Sequence, residues 1–235
     1  MNTIRRAARG VVAANGMPIL LSLLALAGCG PDAPDAPAEP AAERATAGPA
    51  TAEPSEAPSA PDPERLISAE GIGRARLGMT LGDLRAAAAP DVTVGQPEPY
   101  MVDWDGVPVV RGADTLYHVL VPYDTPPDDS LPLELLATQH PSMRTAEGVG
   151  PGVTLARAAE VYGSPTLSYS WSDEGREYAR FPRHPAEGIH FRVEPASDTV
   201  AFAGVYASDG EYNETTTWDP NGRVMLVLVE LGSGG

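Results

Sequence analysis

The chain has 235 residues, with 32 acidic against 16 basic side chains and a formal net charge of −16. Every base is arginine, and the field of so acidic a chain excludes nucleic acid as a partner and adsorption to anionic lipid through charge. The single cysteine, Cys29, excludes an intrachain disulfide and any multi-cysteine metal site.

Residues 1–28 read as a secretory signal. Arg5, Arg6 and Arg9 form a positive start, and Pro18 to Ala27 gives an apolar stretch too short to span a bilayer. Without these residues the charge becomes −19. The stretch ends Leu26-Ala27-Gly28-Cys29, which resembles the bacterial lipobox. That resemblance implies cleavage before Cys29, lipidation of its thiol and acylation of the new amine. Three buried chains would make the attachment effectively permanent, since each buried methylene contributes about 0.8 kcal/mol. Gly30 is not the aspartate that usually holds a lipoprotein at the inner membrane, so the resemblance implies the outer membrane wherever the cell has one.

From Cys29 to residue 65 the chain is rich in Pro, Ala and acidic residues and has no aromatic side chain. Such a segment buries too little to offset the entropy of ordering, and it is expected to be a disordered tether.

The folded part is expected from Leu66 onward, built on a motif that occurs twice. Glu70-Gly71-Ile72-Gly73 precedes Gly78-Met79-Thr80-Leu81, and Glu147-Gly148-Val149-Gly150 precedes Gly152-Val153-Thr154-Leu155. Gly78 and Gly152 lie 74 residues apart, a spacing that suits two small modules in tandem, residues 66–144 and 145–235. Thr80 is placed to cap a helix, with Asp83 reaching back as in a capping box; Leu81, Leu84 and Ala88 share one face, and Pro90 stops the helix. In the second copy Thr154 is the cap, Leu155, Ala158, Ala159 and Tyr162 form the stripe, and Gly163 sits just past the end. Arg157 stands where the first copy has Asp83, so the reciprocal bond is missing there.

Strands are expected after each helix. Those of the first module are residues 100–104, 107–111, 116–123 and 131–138, with Asp105-Gly106 as a hairpin turn. Those of the second are 167–171, 178–181, 189–193 and 200–206. A closing hairpin of 215–218 and 223–231 turns at Asp219-Pro220-Asn221-Gly222. The run Val224 to Leu231 alternates little and is expected to be covered on both faces. The fold class read from this pattern is α+β: two tandem modules, each a short helical element plus an antiparallel β-meander.

A Gly-Met-Thr-led short helix ending Gly-x-Pro before a meander resembles the small lipoprotein of the outer-membrane β-barrel assembly machine. Two such modules in tandem are similar to the β-lactamase-inhibitor protein. Gly78-Met79-Thr80 matches the start of the motif and Gly163-Ser164-Pro165 its end. The first copy lacks the terminal glycine, the second has Val153 in place of methionine, and the inhibitor's cysteines are absent. The resemblance implies a concave sheet face, turned away from the helices, that carries a protein partner.

No catalytic constellation is legible. His118, His140, His184 and His190 fall in separate segments, and no HExxH, Walker loop or GxSxG occurs. The acidic turns at 124–129, 173–175 and 208–210 lack the alternating ligand spacing of an EF-hand loop. No metal and no cofactor is expected. Trp104, Tyr117, Tyr169, Trp171 and Tyr178 are the candidate partner-binding residues, because Tyr and Trp dominate interface hot spots. Alternation alone leaves open whether they face a partner or fill the core between sheet and helices. The expected function is a lipid-anchored, non-enzymatic binding or scaffolding protein of the cell envelope, with the membrane reached through Cys29 and an envelope protein as partner. A hydrolase inhibitor is its narrower form. The competing expectations are a structural spacer and an envelope hydrolase using His190 and Glu194.

Overall fold

The computed structural model describes residues 62–126 and 128–232. The signal, Cys29 and nearly all of the tether lie outside the described residues.

Element order follows the duplicated motif. Three short strands, β1 (Leu66–Ser68), β2 (Gly71–Ile72) and β3 (Ala75–Arg76), lead into helix α1 (Leu81–Ala87). Then come β4 (Val92–Val94), β5 (Glu98–Met101), β6 (Trp104–Arg111), β7 (Asp114–Pro122) and β8 (Leu135–Thr138). The second passage runs β9 (Arg144–Thr145), α2 (Leu155–Tyr162), β10 (Thr166–Ser170), a 3-10 turn (Trp171–Asp173), β11 (Arg176–Arg180), β12 (Ile189–Glu194), β13 (Tyr212–Thr215) and β14 (Arg223–Glu230). Among the described residues the fold is therefore mixed but mainly β, with two short α-helices.

Both helices start as their sequences dictate. The Thr80 hydroxyl accepts the Asp83 amide, and the Asp83 carboxylate accepts the Thr80 amide in return, each at 3.1 Å. Those bonds hold the Asp83 carboxyl below its usual range. Thr154 accepts the Arg157 amide at 3.2 Å without a reciprocal bond, while Arg157 pairs with Glu160 instead. Thr154→Ala and Thr80→Ala should each cost about 1 kcal/mol in a urea titration, since the return bond at Thr80 is made by its backbone amide and survives the substitution.

Beyond the caps, the two copies dock identically. Gly78, Leu81 and Gly82 donate their amides to the carbonyls of Leu133, Leu131 and Asp129, and Met79 accepts from the Leu133 amide. Gly152, Leu155 and Ala156 donate to Val224, Gly222 and Pro220, and Val153 accepts from the Val224 amide. Each Gly-x-Thr-Leu segment is thus clamped to the approach or start of the last strand of its own half by the same four bonds. The upstream glycines have steric reasons too: a Cβ at Gly150 would lie 2.1 Å from the Met143 carbonyl oxygen, and one at Gly71 2.0 Å from that of Ala75.

Among the described residues, one antiparallel sheet runs β13-β10-β11-β12-β14-β8-β7-β6-β4, with β5 also on the edge of β6. The two halves join where β14 pairs with β8, Val227 opposite Thr138 and Val229 opposite Leu136. A smaller sheet, β3-β2-β1-β9, ties the two motif copies together through the parallel pair β1 and β9. Alternation sorts the large sheet into two faces. One carries Val107, Val119, Leu136, Leu167, Phe191 and Val227 against Leu81 and Leu84 of α1 and Leu155 and Tyr162 of α2. The other carries a smaller cluster of its own, centred on Leu120, Ala137 and Leu226.

Five expectations are corrected. Asp105-Gly106 is not a turn; both lie within β6, and the chain reverses at Val102-Asp103. The glycine is there because the Tyr100 and His118 rings pack over it, and a Cβ would meet them at 3.1 Å and 3.0 Å. The last strand does not form a hairpin with residues 215–218. β14 lies between β12 and β8, while β13 crosses to the outer edge of β10. This central position pairs both edges of β14, but among the described residues helices pack on only one of its faces; the other, with Leu226 and Leu228, belongs to the second cluster. Residues 200–206 form no strand beyond a single bridge of Gly204 to Trp218, because a side-chain carboxylate takes the amides of Ala203 and Gly204. Within 131–138 only Leu135–Thr138 is strand, since residues 129–133 serve the α1 clamp.

Candidate functional site

The sheet face turned away from the helices is assembled from alternate residues of β5 to β8, β11, β12 and β14. Because β14 and β8 pair directly, Leu228 lies opposite Ala137, and Ala137 opposite His118, giving a row that crosses the junction of the two halves. Leu120, Ala137 and Leu226 form a buried floor, with Tyr100, Met101, Trp104, Leu135, Met225 and Leu228 half-buried around it. The Tyr100 ring tilts against His118 with centroids 4.5 Å apart.

Polar groups border this apolar floor. Tyr178 and Arg192 are directly opposed on β11 and β12, and Arg192 is opposed to Leu226 on its other side. Burial pushes the Tyr100 phenol up to about 12, with the Arg192 charge pulling the other way. Burial likewise raises Tyr178, and Arg192 again opposes the shift. The Tyr100 hydroxyl is buried with no hydrogen-bond partner among the described residues.

The five aromatic candidates divide between the faces. Trp104 and Tyr178 belong to the outer face. Tyr117, 4% exposed, is a core residue on the helix side beside Gly73, so it is corrected from a partner contact to a packing residue. Tyr169, also 4% exposed, shares the face of Leu167 and stacks on Phe202 at 4.2 Å, with Trp171 and Tyr206 edge-on. It too is corrected to a packing residue. Trp171 is half exposed but sits in the 3-10 turn rather than on a strand, its ring close over Gly175. Sequence reading missed Tyr100 and Arg192. The strict alternation of β12 was the available signal for Arg192, once the face of Phe191 is known.

On the helix side, an open groove of about 510 Å³ runs beside Tyr169, Phe202, Val205 and Tyr206. Its wall is held by Glu177, only 4% exposed, whose carboxylate accepts the amides of Ala203 and Gly204 at 2.7 and 2.8 Å and the Tyr206 hydroxyl at 2.8 Å.

The remaining titratable groups are engaged separately. His190 Nε2 lies 2.9 Å from Glu230, so its acid is on β14 rather than at Glu194. His184 contacts the Ile189 carbonyl at 2.6 Å, and His140 contacts Ser142. The acidic turns close on their own neighbours: Asp128 accepts from Ser130, while Asp173 and Glu174 share Arg176. Among the described residues no three His, Cys, Asp or Glu side chains come together as a metal site.

This geometry defines a mainly β protein with an apolar, aromatic-rimmed sheet face. No family model, no curated protein and no solved structure gives a match to the chain.

Proposed function

We propose that the chain is a lipid-anchored, non-enzymatic protein of the cell envelope that binds another protein through the sheet face turned away from its helices. The observation that carries the reading is the second apolar cluster, Leu120, Ala137 and Leu226 under a rim containing Trp104 and Tyr100, on a face that no helix of the described residues covers. The floor is already buried by its own rim, so what a partner would cover is the half-buried rim of Trp104, Met101, Met225 and Leu228. The leader and Leu26-Ala27-Gly28-Cys29 support attachment through Cys29, with the outer membrane as the address by the same resemblance. The matched clamps at Thr80 and Thr154 support two tandem α+β modules, joined along β8 and β14, and with them the resemblance to the assembly lipoprotein and the inhibitor.

The test is capture from solubilised envelopes with the full lipidated chain as bait, beside Trp104→Ala and Tyr178→Ala variants that melt like the parent. A protein held by the parent should be lost from both variants, each weakened by about 30-fold if the side chain is a hot spot worth 2 kcal/mol. Capture unchanged by both substitutions contradicts the reading.

A further inference from the structure

Residues 195 to 211 separate β12 from β13, a length at which a loop without secondary structure of its own is uncommon outside functional sites. Its composition is one-sided. Between Arg192 and Arg223 the chain carries Glu194, Asp198, Asp209, Glu211, Glu214 and Asp219 and no basic residue. The loop walls the groove of about 510 Å³, where Asp219 is the one charged residue among the described residues that line it. Val200 and Val205 stand more than half exposed at its rim. The rings beside it are held in place. Phe202 stacks on Tyr169, Tyr206 stands edge-on to both, and the Tyr206 hydroxyl is bonded to the buried Glu177. A ligand entering here therefore has little of the wall to order.

We propose that this groove binds a small organic cation, a quaternary ammonium ion, against Phe202 and Tyr206 with Asp219 as its counter-charge. The site is separate from the outer sheet face and goes beyond the protein-binding role of that face. Its volume falls in the range of small-ligand sites, and an apolar, aromatic lining with a few polar groups is their usual composition. Aromatic rings attract a cation through their negative faces, and an ion whose charge is spread over methyl groups gives up its water readily to them. A bare divalent ion would instead need several oxygen ligands, and among the described residues no three His, Cys, Asp or Glu side chains come together. At longer range the net charge of −16 concentrates cations and repels anions. The same acids oppose the phosphate of a zwitterionic lipid head, so the ligand is a free cation rather than a membrane lipid.

The test is a calorimetric titration of the full lipidated chain in an uncharged detergent, read against micelles alone. The probes are choline and its neutral isostere, in which a carbon replaces the ammonium nitrogen. Choline should bind saturably and at least about tenfold tighter than the isostere. Asp219→Asn keeps the Oδ1 that accepts the Asn221 amide at 2.9 Å, and it should weaken choline by about fivefold while leaving the isostere unchanged. Phe202→Leu, once shown to melt cooperatively, should remove most of the preference for choline. Glycerophosphocholine should bind more weakly than choline, and the reverse order would overturn the assignment to a free cation in favour of a lipid head. Equal binding of choline and its isostere, or no saturable choline binding below about 10 mM, would overturn the inference. Choline binding that both Asp219→Asn and Phe202→Leu leave intact would overturn it too, by placing the cation elsewhere.

Discussion

Glu177→Ala is expected to lower stability by about 3–5 kcal/mol, because two backbone amides and the Tyr206 hydroxyl lose a shared acceptor inside the protein. The carboxylate does the work of a strand partner for residues 203 and 204, so its removal should also release the wall of the adjacent groove. Hydrogen exchange should show Ala203 and Gly204 exposed ahead of global unfolding. Burial raises the Glu177 carboxyl above the usual glutamate range, although its three hydrogen bonds pull the other way. The folded protein then holds this proton to higher pH than the unfolded chain does. That contribution to stability is fully present below the ordinary glutamate pKa and is lost as pH rises through the raised value. Compared with Glu177→Gln, the parent should gain stability as pH falls from neutral toward the ordinary glutamate range. A difference between the two that stays constant with pH would show that the group does not titrate differently on folding.

Phe191→Ala is expected to cost about 4 kcal/mol. Phe191 is fully buried at the middle of β12, between Ala179 on one side and Val227 on the other. Its ring meets Phe181 edge-on at 5.7 Å, His184 at 5.4 Å and Tyr162 of α2 at 6.1 Å. Truncation leaves a cavity between sheet and helix that these stiff neighbours cannot close. Denaturant midpoints should fall with little change in slope, and Phe191→Leu should recover more than half of the loss. A cost under 1 kcal/mol would mean that the helix and the sheet are not packed through this ring.

What the sequence disclosed and what it concealed follow from the range of the forces involved. Thr80, Asp83, Thr154 and Gly163 act within one turn of their own helix, and their roles were readable. The second helix ends as its Gly163 implies, with the glycine at φ 91° donating its amide to the Ala159 carbonyl. Alternation in 167–171 and 189–193 foretold strands, but a two-residue period does not say which face meets the helices. Tyr117 and Tyr169 therefore turned out to be core residues, while Trp104 and Tyr178 lie outside. Errors of pairing came from distant partners. Asp219-Pro220-Asn221-Gly222 is a real turn, with the Gly222 amide bonded to the Asp219 carbonyl, yet the strand before it pairs with β10 and the strand after it with β12 and β8. Nothing near residue 203 reveals that Glu177, a long way back in the chain, will take its amide.

The central claim is that the outer sheet face is where a partner sits. The most direct measurement places a photo-crosslinking amino acid in the full chain, in the living cell, at Met225 on that face, at Val205 on the groove rim and at Arg157 on the exposed side of α2. The account predicts one strong crosslinked protein from Met225, weakened by Trp104→Ala, and none from Val205 or Arg157. A crosslink from Val205 or Arg157 with none from Met225 would contradict it.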